Sequence, residues 1–174
     1  MAKYVELRRH TDADGDVLTS DGVQAALEIG SRLTGDYELL VSTGAQRATQ
    51  TLACLLAGLG EKVPQGAVVE PGLRSGVEER WRAAYQKAGS GDLPALRKAD
   101  PELVEEDSAV LAAALRRVLD ALPEGGRALV VGHSPTNEAA VFGLVGEVVE
   151  PISKGEGVLV VEEGGDLRVE RIGE

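Results

Sequence analysis

The two histidines of this 174-residue chain are the side chains best placed to do chemistry. His10 follows residues 3–9 and His133 follows residues 128–132, so each lies where a predicted strand passes into a loop. The carboxyl ends of parallel strands line the ligand crevice in α/β proteins, and both rings are therefore expected to meet there. Histidine can exchange a proton or attack an electrophile near neutral pH. We predict that the two rings share one catalytic pocket.

Two arginines accompany the histidines. Arg9 immediately precedes His10, and Arg47 lies at the start of the helix predicted after the second strand. The planar arginine fork matches pairs of phosphate oxygens, and helix N-termini offer free N–H groups to anions. Two imidazoles, two guanidiniums and two helix N-termini at one sheet edge predict an anion site. No metal or other cofactor is expected, because the sequence lacks a helix-spaced ligand set such as His-Glu-x-x-His.

Hydrophobic periodicity and turn residues predict strands that alternate with helices. The expected strands cover residues 3–9, 38–42, 66–70, 127–132, 157–161 and 167–172. The expected helices cover residues 21–34, 45–59, 106–122 and 135–145, with Thr19 or Ser20 capping the first. Residues 76–106 are expected to form one or two surface helices, interrupted at residues 89–91 and at Pro101.

This alternation predicts an α/β fold, a three-layer sandwich with a mostly parallel central sheet. The terminal hairpin is expected to add one antiparallel edge strand. On strand one, Arg8 points away from Arg9 and is expected to pair with a surface carboxylate. The length fits a single domain over residues 1–174, because domains typically run to roughly 100–200 residues.

Three ordered sequence elements carry a resemblance to a known family. They are Arg9-His10-Thr11 with Leu18-Thr19 and Gly22 downstream, the stretch from Ser42 to Thr51, and Gly132-His133. These elements resemble Arg-His-Gly with Leu-Thr-x-x-Gly, Ser-Ser-Pro-x-x-Arg-Ala-x-Gln-Thr, and Gly-His of the histidine phosphatase superfamily. That superfamily has the fold of the cofactor-dependent phosphoglycerate mutases. In size and in its His-Ser-Pro segment, the chain resembles the short phosphohistidine phosphatases.

The resemblance implies a role for each matched residue. It makes His10 the nucleophile that takes up the phosphoryl group and Arg9 and Arg47 the clamp that holds it. It makes His133 the second pocket histidine, which contacts the phosphoryl oxygens.

Three further residues are expected to contact the substrate: Thr11, Ser134 and Asn137. Thr11 stands where the family has glycine, so the approach of the backbone to phosphate is expected to differ there. Asn137 equally fits a cap of the helix that follows His133.

The general acid of the family has no matching glutamate in this sequence. Many members carry a glutamate shortly after a leucine in the loop that follows the third strand. Here the leucine corresponds to Leu73, and the glutamate position falls on or near Ser75. Glu78 and Glu79 are the first candidates, but they equally fit solvated carboxylates at a helix start. The alternatives in the first loop are Asp12 and Asp14.

The expected function is hydrolysis of a phosphomonoester or phosphohistidine through a phosphohistidine intermediate. Two alternatives stay open: phosphoryl transfer of the phosphoglycerate mutase type, and phosphate binding without catalysis. A mutase must shield its phosphoenzyme from water, and only residues 76–106 are available as a lid, which favours hydrolysis. Retention of both histidines and both arginines favours catalysis over binding.

The amino-acid composition argues against nucleic-acid and membrane partners. The net charge of −11 argues against general nucleic-acid binding, and no apolar run reaches the roughly 18–20 residues of a membrane span. The single cysteine, Cys54, fits a reducing compartment. We therefore expect a cytoplasmic enzyme that acts on a phosphorylated small molecule or phosphoprotein, with no nucleic-acid or membrane partner. The sequence leaves the oligomeric state open.

Overall fold

The structure is a computed structural model that describes residues 1–172. Its strands are β1 (Ala2–Arg9), β2 (Ala13–Asp14), β3 (Val17–Leu18), β4 (Leu39–Ser42), β5 (Ala67–Val69), β6 (Arg127–Gly132), β7 (Gly157–Glu163) and β8 (Asp166–Arg171). Its α-helices are α1 (Ser20–Arg32), α2 (Gln46–Leu59), α3 (Glu78–Ala88), α4 (Leu93–Ala99), α5 (Pro101–Ala121) and α6 (Thr136–Val145). A 3-10 turn (Pro71–Leu73) follows β5.

Six strands form one central sheet in the order β5-β4-β6-β1-β7-β8. β5, β4, β6 and β1 run parallel, whereas β7 is antiparallel to β1 and to β8. The terminal hairpin turns at Gly164 and Gly165, both with positive φ, as a two-residue loop requires. The mostly parallel α/β sheet is therefore confirmed. Within the hairpin, β7 is antiparallel to both of its neighbours. The edge strand β8 therefore runs in the same direction as β1.

Helices cover both faces of the sheet because the buried strands are apolar on both sides. On β6, Ala128 and Val130 belong to a large cluster that includes apolar residues of α3, α4, α5 and α6. Leu129 and Val131 point into a second cluster with α2 and Leu40. The result is the predicted three-layer sandwich, and the ends of its parallel strands form one rim.

The helix starts differ from the sequence expectation in one place. The helix predicted over residues 106–122 begins five residues earlier, at Pro101, with Asp100 accepting a hydrogen bond from the Leu103 amide. Proline lacks an N–H and is favoured in the first turn of a helix. Pro101 therefore begins α5, and residues 76–100 supply two separate helices, α3 and α4.

Other helix ends are set by the expected residues. The Thr19 hydroxyl accepts from the Gly22 amide and caps α1, which decides between the two predicted caps. Gly60 adopts a left-handed conformation and ends α2. Between β1 and α1, the segment expected as a loop contains the small hairpin of β2 and β3.

Contrary to the expectation from the sequence, Arg8 does not pair with a surface carboxylate. Its guanidinium is buried and donates to Glu6 at 2.7 Å, and Glu6 is 2% exposed rather than a surface carboxylate. Glu6 also accepts from Tyr37 and Arg127. A carboxylate with this many donors is stable in the interior, and although burial opposes it, these partners hold the pKa of Glu6 below its ordinary value.

Candidate active site

The ends of β1 and β6 bring the two histidines together. Arg9 lies opposite Gly132 in the parallel pairing, and the His10 amide donates to the Gly132 carbonyl at 3.0 Å. His10 and His133 therefore follow paired residues at the same edge of the sheet. The two ring centroids are 5.5 Å apart with an angle of 58° between the planes. The structure thus brings together the pair that the sequence predicts to share a pocket.

The His10 ring is oriented by its own loop. Nδ1 lies 2.7 Å from the Thr11 carbonyl oxygen. A carbonyl only accepts hydrogen bonds, so Nδ1 must carry the proton in this contact. In the neutral ring this leaves the lone pair on Nε2. The geometry therefore fixes both the tautomer and the nitrogen that can attack an electrophile.

The His133 ring is held by a residue whose role the sequence analysis did not assign. Thr43 Oγ1 lies 2.8 Å from His133 Nε2, at the turn between β4 and α2. Nδ1 of His133 is buried and has no hydrogen-bond partner among the described residues. When the Thr43 hydroxyl donates to Nε2, Nδ1 carries the ring proton and is an unused hydrogen-bond donor. An orphaned buried donor of this kind fits a phosphoryl oxygen.

Burial and nearby positive charges favour the neutral form of both rings. Burial lowers the pKa of His10 below its ordinary value, and the charges of Arg47, Arg9 and Lys154 act in the same direction. Burial lowers the pKa of His133 to about 3, with the positive charge of Arg47 as the next contribution. A neutral imidazole keeps its lone pair, so these shifts favour a nucleophilic His10 rather than a cationic one.

The two predicted clamp arginines approach from different elements. Arg9, the last residue of β1, donates Nη1 to the Ile152 carbonyl at 3.1 Å, and its buried Nε has no partner in the described part of the chain. Arg47 lies in the first turn of α2, and its charge acts on both histidines. Its Nη1 donates to Asp16 at 2.8 Å. Unused donors on Arg9 and a single exposed partner on Arg47 leave both able to bind an anion.

Asn137 does not have the capping role expected for it, and its substrate contact stays a prediction. Its side chain is buried, Oδ1 accepts from the His133 amide at 3.3 Å, and Nδ2 donates to the Arg8 carbonyl at 3.0 Å. It lies inside α6, which begins at Thr136, and it does not cap the helix. A Cβ at Gly132 would collide with Asn137 Oδ1, which explains the glycine before His133. Asn137 therefore links the backbones that carry the two histidines.

Thr11 is a second correction. Its side chain is buried, its hydroxyl donates to the Gly22 carbonyl at 2.8 Å, and its amide donates to Thr51 Oγ1 at 3.2 Å. Both donor groups are therefore occupied within the protein. Thr11 orients His10 through its carbonyl, and a direct substrate contact by its side chain does not fit this geometry.

Ser134 leads to a buried carboxyl that the sequence analysis missed. The Ser134 hydroxyl lies 2.8 Å from Glu138 Oε1 and 3.3 Å from the Ile152 carbonyl. Burial raises the pKa of Glu138 to about 7, although hydrogen bonds from Ser134 and nearby backbone amides and the charge of Arg9 oppose the shift. Glu138 belongs to the apolar-looking run of α6, so only its place one turn after Ser134 could have drawn attention to it. The substrate contact of Ser134 stays a prediction.

The predicted acid candidates lie on the loop and helix that follow β5. Glu78 Oε1 accepts from Arg74 Nε at 2.7 Å, and Glu79 is exposed. Ser75, at the family's glutamate position, is buried and donates to Asp107 at 2.7 Å. An acid role for Glu78 or Glu79 stays a prediction, because neither carboxyl contacts a histidine.

Two outer cations were also missed. Lys154 pairs with Asp12 at 2.7 Å and lowers the pKa of His10 by its charge. Arg74 lowers the pKa of His133 in the same way. Both lie in loops whose position relative to β1 depends on the folded chain. Together with Arg9 and Arg47, they give the pocket a positive field within a protein of net charge −11.

The chain is similar to known proteins in structure but not detectably in sequence. No family model matches the sequence, and no curated protein matches it either. Solved structures do match over nearly the whole chain. Phosphoglycerate mutase from Bacillus anthracis aligns with a TM-score of 0.73 at 19% identity, covering 98% of this chain and 92% of that one. The chain has a phosphoglycerate mutase-like fold.

Two further solved structures that match nearly the whole chain differ in the chemistry that they are named for. Phosphoserine phosphatase from Entamoeba histolytica, in complex with 3-phosphoglyceric acid, aligns with a TM-score of 0.69 at 16% identity, covering 96% of this chain and 94% of that one. The protein histidine phosphatase SixA, complexed with tungstate, aligns with a TM-score of 0.59 at 23% identity and the same coverages. At these identities the likeness shows the fold alone.

The described residues show neither a cluster of metal ligands nor a membrane-spanning helix. Residues 1–172 contain no group of three or more His, Cys, Asp or Glu side chains arranged to hold a metal ion. None of the helices in the same range is long and apolar enough to cross a membrane.

Proposed function

We propose that the protein is a phosphatase that hydrolyses a phosphomonoester or phosphohistidine through a phosphohistidine formed on His10. The observation that carries this proposal is the orientation of the two rings. His10 presents a free Nε2 lone pair because Nδ1 is bound to the Thr11 carbonyl. Beside it, at a centroid distance of 5.5 Å, His133 offers an unpartnered Nδ1. A nucleophile next to a donor for the phosphoryl oxygens is what phosphoryl transfer requires.

In the first step, His10 Nε2 attacks phosphorus and the bond to the leaving oxygen breaks. Arg9, Arg47 and His133 hold the equatorial oxygens while charge redistributes, which stabilises the transition state more than the ground state. The leaving oxygen takes a proton from an acid or from water. The phosphorylated ring is cationic, and its Nδ1–H remains bound to the Thr11 carbonyl.

In the second step, water attacks phosphorus and the N–P bond breaks. His10 regains its lone pair, inorganic phosphate leaves, and the proton of the water passes to a nearby base or to the phosphate. His10 lies at the carboxyl edge of the sheet and is half-buried, whereas His133 is buried. Access of water favours hydrolysis over transfer to a second acceptor.

The test of this function is a screen of phosphorylated metabolites, nucleotides, an aryl phosphate and phosphohistidine peptides, each with and without EDTA. We expect turnover of the aryl phosphate and of at least one natural class, unchanged by EDTA, because arginines and imidazoles supply the positive charge. A binding protein without catalysis would release no phosphate from any of them. Loss of turnover in EDTA and its return with zinc or magnesium would show that a metal supplies the chemistry.

The acid can be tested by changing the leaving group. Glu78→Gln and Glu79→Gln should each be assayed on an alkyl and an aryl phosphate. If one of them protonates the leaving oxygen, its variant should lose about 10²-fold or more on the alkyl substrate and much less on the aryl one. Equal losses on both substrates would assign that residue a positioning role. No loss in either variant would leave protonation to water, the substrate or the first loop, and phosphohistidine would become the favoured substrate.

A further inference from the structure

Asp16 occupies donors at the mouth of the pocket. Its Oδ1 accepts from Arg47 Nη1 at 2.8 Å and from the Arg47 amide at 3.2 Å, and its Oδ2 accepts from the Gln46 amide at 3.3 Å. The Arg47 guanidinium is the group that the proposed function assigns to the phosphoryl oxygens. A carboxylate and a phosphoryl group use such donors in the same way, as acceptors of charge-assisted hydrogen bonds. The negative charge of Asp16 also acts on Arg74 and on His133.

The N-terminus of α2 has no acidic or capping side chain within the helix or at its N-cap. The N-cap residue, Ala45, makes no side-chain cap, and the first turn of α2 contains no acidic residue. Orphan amides at a helix start favour an acceptor, and here a residue 30 positions upstream provides it. Partial burial acts to raise the pKa of Asp16, but hydrogen bonds from Arg47 and Gln46 hold it below its ordinary value, so Asp16 is ionised at neutral pH.

The element that presents Asp16 is a short hairpin. Asp14 pairs with Val17, so Gly15 and Asp16 form the two-residue turn of the β2–β3 hairpin, with Gly15 at φ +63°. Each strand of this hairpin has only two residues. The hairpin base is fixed by the Leu18 amide, which donates to Gln50 Oε1 at 2.8 Å. The Asp16 side chain is 46% exposed, and ion pairs this exposed contribute little to stability.

We propose that Asp16 is an intramolecular competitor: its carboxylate occupies the Arg47 side of the phosphoryl site in the free protein, and the incoming phosphoryl group displaces it. Asp16 then sets how tightly the site holds phosphate, and it limits retention of the inorganic product. This inference rests on the proposed function. It adds a residue that determines affinity and contacts none of the reacting atoms.

The test compares Asp16→Asn with the wild type in direct binding of inorganic phosphate by calorimetry and in phosphate inhibition of aryl phosphate turnover. Removing one negative charge beside the phosphoryl site should tighten phosphate binding on the order of tenfold, and KM should fall with it. Asp36→Asn is the matched control, because it removes the same charge from an exposed loop before β4, at the opposite end of that strand. Asp36→Asn should bind phosphate as the wild type does.

Asp16→Ser provides a second neutral variant, since serine can still accept from the helix amides and preserve α2. Tighter phosphate binding in either folded variant supports the competitor. Unchanged or weaker binding in both would overturn it, and weaker binding would mean that Asp16 helps to hold the anion. If the wild type hydrolyses aryl phosphate but the variants are unaltered, only this inference fails. If no protein binds phosphate or turns over substrate, the proposed function fails as well.

Discussion

His10→Asn should abolish turnover, with a loss on the order of 10⁴-fold or more in kcat for every substrate. The asparagine amide can still donate to the Thr11 carbonyl, as Nδ1 does at 2.7 Å, so the local fold should persist. What disappears is the lone pair that attacks phosphorus. Steady-state rates on an aryl phosphate, with the melting temperature as a check of folding, measure the effect.

His133→Asn is the informative companion to that variant. It removes a donor to the phosphoryl oxygens and leaves the nucleophile in place, so the expected loss is smaller, roughly 10²–10³-fold. Equal losses at the two positions would contradict the assignment of the nucleophile. Turnover close to that of the wild type in His10→Asn would place the nucleophile elsewhere.

Arg47→Met should lower kcat/KM by about 10²–10³-fold, the usual effect of removing one fixed donor that stabilises a transition state. Methionine keeps much of the apolar length of the side chain while removing the guanidinium that acts on both histidines. The matched control is Arg168→Met, because Arg168 lies on the edge strand β8 and pairs with surface carboxylates. It should leave kcat/KM unchanged.

The kinetic result for Arg47→Met distinguishes transition-state stabilisation from ground-state binding and from an effect of net charge. A loss confined to KM would mean that Arg47 only binds the substrate in its ground state. A loss matched by Arg168→Met would trace the effect to net charge. Since Arg47 also pairs with Asp16 at 2.8 Å, phosphate binding by Arg47→Met should weaken although a competing contact is removed with it.

Local sequence patterns were enough to predict the architecture and the ends of the strands. Apolar runs, glycines and capping residues act over a few positions, so they place His10 and His133 at strand ends without knowledge of the fold. Parallel pairing then implies a shared edge, and at that edge the two ring centroids lie 5.5 Å apart. Pro101 was misread because the same residue can end one helix or begin the next.

The contacts that the sequence did not predict are long-range. Thr43 meets His133 across 90 positions, and Asn137 reaches the Arg8 carbonyl across 129. A local sequence pattern cannot predict contacts between residues so far apart in the chain. Asn137 was instead given two roles typical of its residue type, a helix cap and a pocket contact, and the structure uses both its polar groups to join strand ends. Asp16 was passed over because an acidic loop residue is ordinarily solvated.

A covalent phosphate on His10 is the central intermediate of the proposed mechanism, and trapping that phosphate is the most direct test. The protein should be mixed with an aryl phosphate labelled in the phosphoryl group, quenched rapidly without acid, digested and mapped by mass spectrometry. We expect label on His10 during turnover, no label in His10→Asn, and loss of the label in acid, as a phosphorus–nitrogen bond requires. Label on another residue, or none in a protein that is releasing phosphate, would contradict the mechanism.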